Sequence, residues 1–404
     1  MEYLFTERAH LMCPNMCFGI VATVNRFYDE ARIRESFEQL SLAHPFLNAL
    51  LGYEEEKNLY YYDVTKSSQI AILFGNSQIA GIDAPEVLET YRRLTGRDWD
   101  LTREGMLKAA IWKAAEKTVF LLVFHHLLAD GRGALGLMQE LADYYVHGSV
   151  PKFAQEKLIS STGDFPANSR MPLISRTLVG KANKDWAKEK HRVSYEEYHA
   201  FADRFLQEDV VKHSVSIVRK EKLAVLLEKC HANHVSVNDY LLARMFRKDG
   251  TGKIIMACDL RDQLACYQKG ALGNYSTAFS VEIKKKEKDV FTLAKAVHER
   301  IQKIMNTPAD LYLVLQCYAE LDPGILDAAL ISCSGNFKSK AGQFIGNMFF
   351  GFGAPEGYSI TNLGKIESDS IAAAYFIPPA SPAIKKTQGI LTVNGEMRIC
   401  TSER

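Results

Sequence analysis

Two adjacent imidazoles, followed by a carboxylate and a glycine, stand together in Phe124-His125-His126-Leu127-Leu128-Ala129-Asp130-Gly131 of this 404-residue chain. Neutral imidazole accepts a proton near its free pKa of about 6.5, which makes a positioned histidine the usual general base at neutral pH. Asp130 lies across a turn from His126, and its ionised oxygens suit holding a cation, or backbone N–H groups that fix a loop, better than acting as a second base. Gly131 suits a backbone that must turn tightly or approach a ligand closely. By residue type alone, two histidines at a strand end are an ordinary core residue and its surface neighbour, so the surroundings have to decide.

Those surroundings are a strand and a helix. Val119-Phe120-Leu121-Leu122-Val123-Phe124 is a short continuous run of branched and aromatic residues, which predicts a buried strand. Beyond Gly131 the period changes: Leu135, Met138, Leu141, Ala142 and Tyr145 recur at helical spacing, and His147-Gly148 closes the segment with a basic residue and a glycine stop. The imidazoles therefore sit where a strand ends, and the carboxylate sits where a helix begins.

In that setting, His-His-x-x-x-Asp-Gly resembles the signature of the condensation-domain and chloramphenicol-acetyltransferase-like superfamily of acyltransferases. Further segments carry the resemblance along most of the chain. Ile33 to Leu40 followed by Ala43-His44-Pro45-Phe46-Leu47 is similar to the helix and His-Pro turn of condensation-like proteins. Trp99-Asp100-Leu101-Thr102 with Gly105-Met106-Leu107-Lys108 is similar to their approach to a strand, with Met106 where proline is usual. In the second half, Val237 to Ala243, then Cys258-Asp259-Leu260-Arg261 with Leu272-Gly273-Asn274-Tyr275, and finally Thr361-Asn362-Leu363-Gly364, with Thr361 in place of serine, follow in the family's order. An Asp-Phe-Gly-Trp-Gly stretch is absent, which argues against the plant branch of these enzymes.

Composition sets the outer bounds. The length suffices for two ordinary domains, and a charged fraction of 24% is that of a soluble globular protein. A net charge of +1 gives no strong field for nucleic acid or anionic membrane. The segment Met1 to Arg8 is wrong for a signal peptide, and no apolar run approaches the roughly 18 residues of a bilayer span. Eight cysteines without paired C-x-x-C spacing read as reduced thiols, so a cytoplasmic location is expected. Cys230-His231-x-x-His234 reads as the polar end of a helix, and no metal is expected.

Taken in order, Ile20 to Val24 predicts a strand, Asp29 a cap for a helix through Leu42, and Pro85 to Leu94 a further helix. Leu59-Tyr60-Tyr61-Tyr62 predicts a strand whose tyrosines divide between two faces. Strands over Met106 to Lys113 and Thr118 to Phe124 lead to the histidine loop. Polar and charged residues place a linker over 161–205, between an N-terminal unit (1–160) and a C-terminal unit (206–404). In the latter, Val215 to Val218 and Lys253 to Cys258 predict strands. Glu221 to His231, Ser236 to Phe246 and Ala294 to Met305 predict helices, and Thr392 to Met397 a hairpin.

The resemblance implies an α/β fold of two chloramphenicol-acetyltransferase-like subdomains, a pseudo-dimer with its active-site channel between them. It implies His126 as the general base, taking a proton from an acceptor hydroxyl or amine as it attacks an acyl thioester. Asp130 would pair with Arg261, Gly131 would shape the loop, and His125 would turn away from substrate. Asn274, Thr361 and Asn362 would contact the oxyanion or the pantetheine arm, or else only local backbone. Acyl-CoA is the expected donor and no cofactor is expected to be tightly bound. The alternatives are a peptide-forming condensation domain using carrier-protein-bound donors, and a catalytically silent relative that binds a carrier protein or partner. A metal-dependent hydrolase built on His125 and His126 lacks further suitably spaced ligands.

Overall fold

The computed structural model describes all residues except 1, 66, 67, 285, 286 and 288; Met1 of the N-terminal segment is thus outside the described residues. The long buried run is the strand Lys117–His125, the third in a sheet ordered Ile371–Ile377, Cys17–Val24, Lys117–His125, Leu107–Ala114, Ala71–Phe74. Its antiparallel neighbours bury both flanks, and Phe120, Leu121, Leu122, Val123 and Phe124 are fully enclosed. A second sheet runs Ser276–Glu282, Lys253–Asp259, Gly357–Ile366, Ile384–Val393, Glu396–Glu403, Lys212–Val218. A three-stranded sheet joins Glu2–Tyr3, Leu59–Asp63 and Leu50–Glu54. Each large sheet has its own hydrophobic core, and the architecture is the expected α/β pair of subdomains.

Local signals placed many elements. Asp29 caps the helix Glu30–Ala43 by accepting the Arg32 N–H, and Ser236 with Asp239 forms a reciprocal capping box on Val237–Asp249. Asn394 and Gly395, both at positive φ, turn the hairpin between the last two strands.

Two features depart from the expected domain layout. The strand Ile371–Ile377, drawn from the second half, completes the first sheet by pairing antiparallel with Cys17–Val24. The stretch expected as a linker holds the helix Leu173–Trp186 and most of the helix Tyr195–Glu208. Their inward stripes, including Val179, Ala182, Trp186, Tyr198 and Phe201, are buried in the first core. Polar composition misleads here because each helix hides only one stripe and leaves the rest in water.

The His-Pro turn is held by a buried charge cluster. His44 Nδ1 lies 3.1 Å from Glu156 Oε1, and Nε2 lies 2.7 Å from Glu140 Oε2. The second Glu156 oxygen accepts the Phe46 N–H at 2.7 Å. Burial is the largest single influence on His44 and would lower its pKa, but the two carboxylates together outweigh it and raise it to about 9. Since the folded value lies above the unfolded one, this stabilisation is complete below about pH 6.5 and is lost as pH rises through about 9. The upward shift of Glu156, caused by burial, removes stability in the same direction lower on the pH scale. Urea unfolding should therefore show a loss of about 3 kcal/mol between pH 6.5 and 10 that His44→Gln does not show. Equal pH dependence in the two proteins would refute this account.

Candidate active site

The strand Lys117–His125 ends against two neighbours: the His125 N–H donates to Met106 O at 2.9 Å and the His126 N–H to Met16 O at 3.2 Å. Tyr62, the most deeply buried member of the tyrosine triplet, donates its hydroxyl to Leu127 O at 2.6 Å, which pins the loop from the third sheet. After Asp130 the chain enters the helix Gly131–His147.

His126 is half-buried, and Asn274 fixes its tautomer. The Asn274 amide nitrogen donates to His126 O at 2.8 Å and Leu127 O at 3.0 Å, so its oxygen faces His126 Nδ1 at 2.9 Å. That oxygen only accepts, so Nδ1 carries the proton and Nε2 presents a lone pair. Burial is the main cause that lowers the His126 pKa, against smaller upward pulls from its own backbone, Asp130 and Asn274. A half-buried His10 stacks on the His126 ring at 4.3 Å with planes 20° apart, and Phe18 meets the same ring edge-on at 5.2 Å. Burial, then the charges of His126 and His125, hold His10 well below the usual imidazole range. His126 is thus a neutral imidazole with one nitrogen tethered and its ring held by stacking.

Asp130 is the organising anion. It caps the helix by accepting the Arg132 N–H at 3.1 Å and the Gly133 N–H at 2.9 Å. It also accepts the Tyr275 N–H at 2.9 Å and the Arg261 guanidinium at 2.6 Å. Burial pushes its pKa up, but Arg261 and the backbone donors outweigh that and hold it below the usual carboxylate range. Arg261 also grips Asp259 at 2.9 Å. The pair joins the histidine loop of one half to the Cys258–Arg261 segment of the other, and side-chain exposure there is only 11% for Arg261 and 4% for Asp130. Gly131 takes helical backbone, and a Cβ there would lie 2.7 Å from a Leu363 methyl, which would have to shift. The neighbouring Arg132 donates to Leu363 O at 2.5 Å.

His125 is buried facing Trp99, its ring centre 6.2 Å away, and its Nδ1 accepts the Leu127 N–H at 3.3 Å. Burial, with His126 and Lys108 adding to it, lowers its pKa to about 3. Asn362 spends its oxygen on the Gly364 N–H at 2.9 Å, a local turn. Thr361 stands on the wall of a cleft of about 300 Å³ that Asp130, Gly131, Arg132, Cys258 and Asp259 also line. The loop, Asp130, Arg261 and Asn274 thus converge on one spot.

Sequence reasoning missed His10. Its own turn, Arg8–Leu11, has no periodic signal, and what holds it is distant: Arg8, 1% exposed, forks onto Asp327 with contacts of 2.7 and 2.5 Å. Cys230 and His231 lie in the last turn of the helix Lys220–Ala232, and no metal-holding group of three His, Cys, Asp or Glu occurs among the described residues. None of the helices among the described residues is long and apolar enough to cross a membrane.

No family model matches this chain. Among curated proteins it is 21% identical over 221 residues to bacitracin synthase 3 of Bacillus licheniformis, a match covering 54% of this chain and 3% of that protein's length. Solved structures resemble it over almost its whole length. The first condensation domain of the calcium-dependent antibiotic synthetase has a TM-score of 0.60 at 12% identity, covering 100% of this chain and 91% of that one. Polyketide synthase associated protein 5 from Mycobacterium tuberculosis gives 0.58 at 14%, covering 98% and 92%. The starter condensation domain of rhizomide synthetase, a variant solved with C8-CoA and Leu-SNAC, gives 0.56 at 10%, covering 98% and 86%. This chain, with its histidine loop set between two chloramphenicol-acetyltransferase-like subdomains, has the condensation-domain fold.

Proposed function

We propose that this protein transfers an acyl group from a pantetheine thioester to a hydroxyl or amine acceptor, with His126 as general base. The observation that carries the reading is the tautomer: with Nδ1–H committed to Asn274, only Nε2 is free to take a proton. The acceptor O–H or N–H gives its proton to Nε2 as the oxygen or nitrogen attacks the thioester carbonyl. The tetrahedral intermediate collapses, the C–S bond breaks, and the imidazolium returns the proton to the departing thiolate. A covalent acyl-enzyme is not required. Asn274 acts in this scheme as a positioning residue, and Asp130 with Arg261 holds the loop rather than the substrate.

Acyl-CoA is the donor we favour; a carrier-protein-bound thioester offers the same pantetheine arm. The fold shared with condensation domains, one of them solved with C8-CoA, supports thioester chemistry of this kind. The test is thiol release from a panel of acyl-CoAs, with and without mixed alcohol and amine acceptors. Acceptor-dependent release is the expected result. If the folded protein releases nothing from acyl-CoAs or from acylated carrier proteins, a silent binding role replaces transfer.

A further inference from the structure

The second sheet has two unlike faces. Ile254, Met256, Phe279 and Val281 alternate inward and are buried in the second core. Their neighbours Ile255, Ala257, Ala278 and Ser280 point the other way and are only half-buried, joined by Ser359 and Thr361 from the adjoining strand. Small side chains on that face leave volume above it: together these residues line a cavity of about 480 Å³. At about 30 Å³ per molecule of liquid water, that is space for about 16 waters, far more than an acetyl group occupies.

Aromatic side chains face this floor. Tyr318, Phe350 and Phe352 form a stacked row, with ring centres 5.8 and 5.1 Å apart and planes within 16° of parallel. Phe350 ends a π-helical turn, Gly346–Phe350, which Gly351 closes in the left-handed conformation. Such turns cost regular hydrogen bonding and are concentrated at functional sites. The charged lining residues are Glu282, Arg300 and Asp310, of which Glu282 and Asp310 are exposed, so polar groups have a route to water. The cavity meets the cleft beside Asp130 and Gly131 at Ala257 and Thr361, which line both.

We infer that this cavity binds an extended apolar group, alkyl or aryl, belonging to one of the two substrates. The inference rests on the acyl-transfer reading for what the rest of the ligand is, but its test reads binding and needs no turnover. The probes are S-octyl-pantetheine, S-methyl-pantetheine and naphthylmethanol, titrated calorimetrically. The octyl thioether or naphthylmethanol should bind the native protein at least about tenfold more tightly than the methyl thioether. Ala278→Leu should remove that advantage and leave the methyl thioether unaffected. Phe350→Ala, which removes one ring of the wall, should also weaken the large probes and serves if Ala278→Leu does not fold. Preference for the octyl thioether assigns the cavity to the donor, and preference for naphthylmethanol assigns it to the acceptor. Equal binding of all probes, or large-probe binding unchanged in both folded variants, overturns the inference. Failure of turnover with intact large-probe binding would count against the proposed reaction alone.

Discussion

Replacing His126 with alanine should lower acceptor-dependent thiol release by about 10²–10⁴-fold, the range lost with a positioned general base. KM for the thioester should change little, because the lost group acts on the proton and not on the pantetheine arm. The pH profile gives a second reading. Burial lowers the His126 pKa, so the base is already unprotonated at neutral pH and the acid limb of kcat/KM should lie below about pH 6.5. Asn274→Asp puts a negative charge against Nδ1 and should move that limb upward while also costing rate, because it loses the donor to His126 O and Leu127 O; Asn274→Leu should lower the rate by freeing the ring. A folded His126→Ala protein with native turnover would end the general-base assignment. An unmoved limb in Asn274→Asp would remove Asn274 from it.

Arg261→Ala should cost about 3–5 kcal/mol in unfolding experiments, because it strands the buried Asp130 carboxylate. Asp259, the other carboxylate on Arg261, is 37% exposed and can turn to water, so the loss falls on the histidine loop. Asp130→Asn should also destabilise: its amide oxygen can keep the Arg132 and Gly133 N–H bonds, which share one carboxylate oxygen, but its NH2 then faces the Tyr275 N–H that donates to the other. Because the two side chains share one contact, the double variant should lose less than the two single variants added together. Arg261→Ala with native stability and turnover would show that the pair ties nothing together.

The legible parts of this protein were those that depend on near neighbours. The strand into His125, the cap at Asp130 and the box at Ser236 and Asp239 are each written within a few residues. The Asp130–Arg261 pair spans 131 residues and was reached through the family resemblance, not through spacing. Asn274 was expected near an oxyanion or the pantetheine arm, or else on local backbone only; its bond to His126 Nδ1, from 148 positions away, was not foreseen. Neither His10 nor the buried Arg8–Asp327 pair carries a local pattern, since stacking and ion pairing leave no period in a sequence. The helices that begin within 161–205 were hidden by their own solvent-facing charge.

The strand Ile371–Ile377 has a consequence for synthesis. Until residue 377 has left the ribosome, Cys17–Val24 must wait as an unpaired edge, its row of amides and carbonyls open to any other nascent chain. The first half can collapse early but cannot close, so its sheet is finished nearly last, by residues translated after most of the second half.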